Sequence, residues 1–405
     1  MVFKKLIIFL LLNFCLLTGH GIGAEWLLTP TSPTFRGMGE IGVCLPSEDI
    51  SSQYFNPANG LYGTHGISFK NFATNIGWLP FKKDISYENR IFAISCLPDK
   101  YSFKVILSYS NKYFYWEEST LATEYSQGHS ENINLALRYK FQNPIPIHVS
   151  IGITRKNVSQ EIFDYQKVSR SENIFFDTGL LISSPLKLLP GEDNINLAIT
   201  PSLGYSISNL GNDISFQNKS GQICCPRYVQ IGAGISIKLY NENSGWTFLE
   251  YRGGRAAADL LAKYNHDEQK CSYSSGLGDI NLRNHVLLSK NQKVVELKRG
   301  NQIKILDVVG IRFGLRIDKN ESLKIHEWGL GFDSDGLFYL FNSISRVLVR
   351  DKVINKIPRY FSFRYDYPIW DDESGKLFEN AEYAGFTISI NHIDEIISSA
   401  YKKFN

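Results

Sequence analysis

"NINLALRYKF" (Asn132–Phe141) alternates without a break. Ile133, Leu135, Leu137, Tyr139 and Phe141 fall on one face of an extended chain, and Asn132, Asn134, Ala136, Arg138 and Lys140 on the other. Successive side chains of a strand point to opposite faces, so this run is a strand with one apolar and one polar face. The same pattern recurs from Tyr101, Ile147, Ile195, Val229 and Val309. Weaker runs lie near 66–72, 89–97, 174–183, 245–252, 286–297, 323–332, 336–341, 359–367 and 382–391. Several runs are too long for a soluble protein, whose strands centre on about 5–6 residues, and match the roughly 9–11 that a tilted membrane strand needs.

Two further features favour a membrane barrel over a soluble sandwich. Aromatics end the apolar faces: Tyr101 and Tyr109 bracket Phe103, Val105 and Leu107. Rings with a polar tip suit the membrane–water interface. The polar faces hold Gly, Ser, Asn and charged residues, which suits a wet lumen, whereas a sandwich would need two facing apolar layers. Strands in a bilayer must also close into a ring, because an open edge would strand backbone donors and acceptors in hydrocarbon. The expected fold is all-β, a transmembrane antiparallel barrel. About fifteen runs are counted; bacterial barrels of one chain hold an even number of strands, so about fourteen are expected.

The first residues read as a secretory signal. Lys4 and Lys5 precede an apolar run from Leu6 to Leu12, and small residues follow to Ala24. The cut is expected after Ala24, with Gly23 as the alternative. Bulky Phe14 before Cys15 argues against a lipoprotein cysteine. Losing Lys4 and Lys5 takes the formal charge from +3 to +1, a balance that argues against nucleic acid as a partner. Beyond the signal lie Cys44, Cys96, Cys224, Cys225 and Cys271. None shows the spacing of a zinc or redox motif; adjacent Cys224 and Cys225 could each pair elsewhere or stay free, and read first as small apolar fillers.

The chain then divides into a signal peptide over 1–24, an irregular segment over 25–65, a barrel over 66–392 and a terminal amphipathic helix over 393–405. In the last, Ile393, Ile396, Ile397, Ala400, Tyr401 and Phe404 share one helical face. Within the barrel, "GGRAAADLLAKY" (Gly253–Tyr264) places Ala257, Leu260, Leu261 and Tyr264 at helical spacing, and predicts a short amphipathic helix in a long loop. The irregular segment is rich in Gly and carries Pro46 and Pro57. Pro57 keeps Asn56 out of the helical region, and Asn56 can bond nearby backbone. Such a segment has a place inside a barrel lumen, as a hatch.

"RGMGEIGV" (Arg36–Val43) followed by "YFNPANGL" (Tyr54–Leu61) resembles the N-terminal signature of the FadL/PorV-type outer-membrane proteins. The resemblance implies a fourteen-stranded barrel with an N-terminal hatch in the bacterial outer membrane. One branch of that family takes up long-chain fatty acids and other hydrophobic compounds. The PorV- and PorQ-like branch serves type IX secretion by binding cargo or partners at the cell surface. Carried over residue by residue, Asn56, Pro57 and Ala58 are hatch residues. Arg36 and Gly37 match the Arg-Gly pair, and Arg36 is expected to anchor the hatch to an acidic lumen residue. Asn59 departs from the family's Gly at that place, and the chain lacks a terminal aromatic strand end. The partners implied are outer-membrane lipid and either a hydrophobic small molecule or secreted proteins and their machinery.

Other chemistry is weak. His148 and Ser150 share a polar face, but no acid or amide is identifiable to orient the His, so a lumen-lining pair is expected and no enzyme. Arg138, Lys140, Lys238, Arg312 and Arg316 share their strands' polar faces; they read first as ordinary lumen charge paired with acids such as Asp318 or those of the hatch, and otherwise as a basic lumen wall that would attract anions. Asp371, Asp372 and Glu373 read as a solvated turn without the ligand spacing of a calcium loop. No metal or cofactor is expected.

Overall fold

The computed structural model describes residues 22–62 except 30, 66–76, 84–96, 102–118, 124–164, 167–190, 194–217, 223–242, 246–290 except 266 and 269, 294–319, 324–337 with 340, 361–372 and 383–391. The signal region before residue 22 and the helix expected over 393–405 lie outside the described residues.

The strands are β1 (Gly66–Ile76), β2 (Asp84–Cys96), β3 (Phe103–Glu118), β4 (Glu124–Phe141), β5 (Ile147–Asp164), β6 (Lys167–Ser183), β7 (Leu186–Pro190), β8 (Ile195–Gly211), β9 (Tyr228–Asn241) and β10 (Thr247–Leu260). They continue with β11 (Ala262–Asn265), β12 (Lys270–Tyr273), β13 (Glu296–Ile305), β14 (Val309–Ile317), β15 (Lys324–Asp333), β16 (Phe361–Asp372) and β17 (Tyr383–Asn391). Each wall strand pairs antiparallel with its neighbours in the chain, and β17 returns to pair with β1 along Gly66↔Asn391 to Thr74↔Tyr383. The result is a closed 14-strand barrel. β7 prolongs β6 along β8 past Ser184 and Pro185. β11 and β12 form a separate hairpin between β10 and β13.

Burial runs opposite to that of a soluble protein. On β5, Ile151 and Ile153 are 53% and 45% exposed, while Ser150 before them and Thr154 and Lys156 after them are buried. Leu107 and Tyr109 on β3, Phe313 on β14 and Leu330 on β15 are likewise exposed. Their common outward belt is stable only against hydrocarbon.

Both mouths can be placed by the chain. Gly66 and Asn391 lie at one end, with the short β4–β5 and β13–β14 turns. The other end carries the longer β8–β9 and β10–β13 connections. There a disulfide joins Cys224 to Cys271, 47 residues apart. Cys224 is thus not a mere filler, and adjacent Cys225 stays free and buried.

Gly253–Tyr264 is not a helix: it is the far half of β10 plus the start of β11. Ala256 faces inward and packs with Phe35, Met38 and Ile41. Ala257 faces outward and packs with Ile280 and Val286. A strand buried on both faces loses its alternation, and the apolar run then imitates helical spacing. The helical turn comes later, at Leu282–Leu287, where a strand was expected near 286–297. Asp371 and Asp372 close β16 rather than forming a turn.

The described residues of 24–62 run inside the ring as short turns: Glu25–Leu28, Pro33–Arg36, Ile50–Tyr54 and Pro57–Leu61. Asp49 and Asn56 cap the last two by accepting from Ser51 N and Ala58 N, and Pro33 and Pro57 open their turns. The wall meets this segment through inward glycines. A Cβ on Gly152, Gly204, Gly300 or Gly314 would overlap the backbone of Pro57, Val43, Met38 and Gly39 respectively.

Candidate functional site

Arg36 and Gly37 lie against β14 and β15, where Gly37 approaches Gly329. Arg36 pairs with Glu40 on its own segment and stands 3.7 Å from Glu327 of β15. Asn56, Pro57 and Ala58 lie against β5 and β6, on the far side of the ring. Asn56 Nδ2 donates to Val43 O and Leu180 O, each at 2.9 Å, tying the segment to itself and to β6. The five residues singled out from the sequence therefore form two contacts on opposite walls. Asn59, the departure from the family pattern, donates to Gly42 O and Leu45 O at 2.8 and 2.7 Å and accepts from Ser47 N. Its amide gathers the turn around Ser47, which a glycine could not do.

Charge pins the middle of the segment. Glu40 is buried and accepts from Lys298 at 3.0 Å and Arg316 at 2.7 Å as well as from Arg36. Burial alone would raise its carboxyl, but Arg316, Lys298 and Arg36 together hold it far below the ordinary carboxylate range. Asp49 is buried too and takes Lys70 of β1 at 2.5 Å. Burial opposes its charge, and Lys70 outweighs burial, so its carboxyl is also depressed.

A cavity of about 340 Å³ opens at the mouth that holds Gly66 and Asn391. Pro46, Ser47, Glu48 and Tyr62 of the inner segment line it, facing Arg138, His148, Lys238, Arg252, Lys304, Arg312, Asp333 and Arg364 of the wall. Most lining groups are polar or charged, and cations outnumber acids. Glu48 projects into this space with its side chain 60% exposed, 3.1 Å from Arg364. Burial within the mouth works against its charge, yet Lys304, Arg364, Lys238 and Arg252 surround it and push its carboxyl below the usual range. Arg364 and Lys304 also share Asp333, at 2.8 and 3.1 Å. Arg312 pairs with Asp366 at 2.7 Å.

Of the basic wall read from the sequence, Arg138, Lys238 and Arg312 line this cavity. Arg316 binds Glu40 instead. Glu48, Arg252, Lys304 and Arg364 were missed. Period-two phase could have marked Lys304 and Arg364 as inward, but Glu48 sits in irregular backbone with no period to read. Ser150 exchanges a hydrogen bond with the Tyr62 hydroxyl at 3.3 Å, and His148 lines the mouth.

The closed ring with its lipid-facing belt defines a transmembrane β-barrel of the outer-membrane type, with its N-terminal segment packed inside. No protein-family model matches the chain, and no curated protein matches it. Among solved structures it is similar to a FadL homologue of Pseudomonas aeruginosa, at 9% identity and TM-score 0.42, covering 89% of this chain and 98% of that one. It is also similar to the monoaromatic hydrocarbon channel CymD, at 9% identity and TM-score 0.39, covering 89% and 96%. The transport unit of the autotransporter AIDA-I from Escherichia coli gives 8% identity and TM-score 0.39, covering 80% and 89%.

Proposed function

We propose that the chain is a bacterial outer-membrane transport barrel that binds a hydrophobic compound with an anionic head, of the long-chain fatty-acid kind. Residues 25–65 act as its hatch. The observation that carries this reading is the mouth cavity, in which a carboxylate of the hatch, Glu48, already sits among Lys238, Arg252, Lys304 and Arg364. An incoming carboxylate would compete for the same cations, and hatch rearrangement would follow without any chemical step. The hatch signature around Arg36 and Asn56 supports the same reading. Binding of oleate to the purified barrel, followed by protein fluorescence, tests it. Saturable binding that weakens in Arg364→Gln is expected. Equal binding of oleyl alcohol, or none of oleate, would overturn it.

A second reading is favoured by the long connections at the opposite mouth, stapled by Cys224–Cys271. An ordered outer surface suits a PorV- or PorQ-like component of type IX secretion that docks cargo or partner proteins. Pull-down from outer membranes, with mass spectrometry of captured proteins and extraction of bound lipid, separates the two.

A further inference from the structure

The connection between β12 and β13 does not close the mouth. It folds over the outside of the wall. Ile280 and Val286 bury themselves against Ala257 and Leu297, with Ile231, Ala233 and Ile317 beside them. Those wall residues occupy outward positions, because their neighbours Ala256 and Lys298 face the inner segment. Leu282, Leu287 and Leu288 remain exposed, Leu287 by 63%. The segment thus continues the apolar belt toward the far mouth.

Beneath it, Arg255 of β10 and Arg299 of β13 stand directly opposite each other on the outward face. Arg255 donates to Leu287 O at 3.1 Å. Arg299 donates to Ser289 Oγ at 3.1 Å and to Ser289 O at 2.8 Å. Carbonyls and hydroxyls hold the two guanidinium groups but cancel no charge. Among the described residues, neither has a carboxylate within ion-pair distance. Arg283 and Lys290 of the same segment are exposed and add to the positive field, and Asp279 is the one acid between 277 and 290. Like charges directly opposite on a sheet repel, and charge on a lipid-facing wall is costly. A wall that keeps both arginines there is complementary to an anion with two or more acceptor oxygens.

We propose that this outer-wall site binds the phosphate of an anionic lipid from the surrounding leaflet. The phosphate bridges Arg255 and Arg299, and an acyl chain lies along Leu282, Leu287 and Leu288. The occupant is a lipid and not a free phosphate, because the cations are framed by exposed leucines on the wall that hydrocarbon covers. The site is separate from the lumen and does not depend on what the barrel transports.

Native mass spectrometry of the full chain in neutral detergent tests it, with phosphatidylglycerol, phosphatidylcholine of the same chains, and inorganic phosphate as probes. Phosphatidylglycerol should be retained about tenfold better than phosphatidylcholine, and the Arg255→Gln/Arg299→Gln variant should lose about that factor. Arg90→Gln, which removes an outward arginine already paired with Glu88, should change nothing. Equal retention of the two lipids would overturn the proposal, as would inorganic phosphate held as firmly as lipid. If the double variant does not fold, exposed Arg255→Gln alone decides, and unchanged retention there would sink the site.

Discussion

The two ends of the inner segment are held by different forces. At the far mouth, Trp26 is buried among Val158, Phe175, Ile214 and Phe216 and stacks on Phe114 at 5.9 Å. Lys112 beneath it is satisfied by Trp26 O at 2.9 Å and Thr29 O at 2.7 Å. At the near mouth, Glu48 is exposed to the cavity and held by cations. Desolvation fixes the first end, and salt does not screen it. Charge fixes the second, and salt screens it. A segment built this way is anchored at Trp26 and, on the function proposed above, exchangeable at Glu48.

The anchor is the place for the largest effect. Trp26→Ala should weaken docking of the segment by about 3–5 kcal/mol, independent of salt. Free, buried Cys44 is the reporter, since it meets a thiol reagent only when the segment leaves the wall. Its thiol is pushed up to about 12, chiefly by burial, so it is unreactive in place. Mapped labelling at Cys44 should rise steeply in Trp26→Ala at both low and high salt. If labelling stayed at the wild-type rate, the apolar anchor would be refuted.

Gly300→Val tests the wall between the two ends. Its side chain would enter the space of the Met38 backbone, and overpacking of this kind costs about 1–3 kcal/mol. Cys44 labelling should rise while the barrel keeps its heat-modifiable migration on a gel. Loss of the barrel itself would mean that the glycine serves strand pairing and not the segment.

Those glycines also mark where sequence reasoning stopped. The outward faces were legible because lipid imposes one rule, apolar at every second residue, on all strands alike. Most strands and the closure of the ring follow from that rule, but β13 (Glu296–Ile305) escapes it, and residues 334–337, at the start of the run expected over 336–341, are helical; the count of fourteen rests on the evenness of such barrels. The inward faces obey no such rule. Gly152, Gly204 and Gly314 read as the polar side of a wet lumen, but they are seats for the backbone of Pro57, Val43 and Gly39. Ala256 and Ala257 read as helical because each packs against a different covering segment. Cys224 gave no spacing signal, since its partner Cys271 belongs to a hairpin that only the three-dimensional fold brings near. Glu48 was invisible for the same reason: its role depends on cations from β9, β10, β13 and β16.

At the exchangeable end the effects should be smaller and should depend on salt. Glu48→Gln removes an exposed ion pair worth about 0.2–1 kcal/mol, so Cys44 labelling should rise only a few-fold in low salt. In high salt the variant and wild type should converge. Convergence at the Trp26 end instead would reverse the comparison.

The smallest effect is a pH dependence confined to the near mouth. Glu48 is depressed from its ordinary value near 4.5, so its hold is present above that value and fades as pH falls further. Asp335 behaves oppositely. Burial first, then the charges of Asp333 and Glu48, raise its carboxyl from 3.8 to about 8, against Arg364 and Lys304. A raised acid binds its proton more tightly in the folded mouth, so its contribution is complete below 3.8 and is lost as pH rises through about 8. Above that point Asp335 joins Asp333 in competing with Glu48 for Arg364 and Lys304, and the latch loosens. Cys44 labelling in wild type should therefore gain on Asp335→Asn between pH 7 and 9, by about twofold or less because only the exposed Glu48 pair is weakened. Taking the ratio of the two proteins at each pH removes the titration of the thiol itself. A ratio that stayed flat across that interval would show that Asp335 carries no proton at neutral pH and that Glu48 shares Arg364 and Lys304 with Asp333 alone.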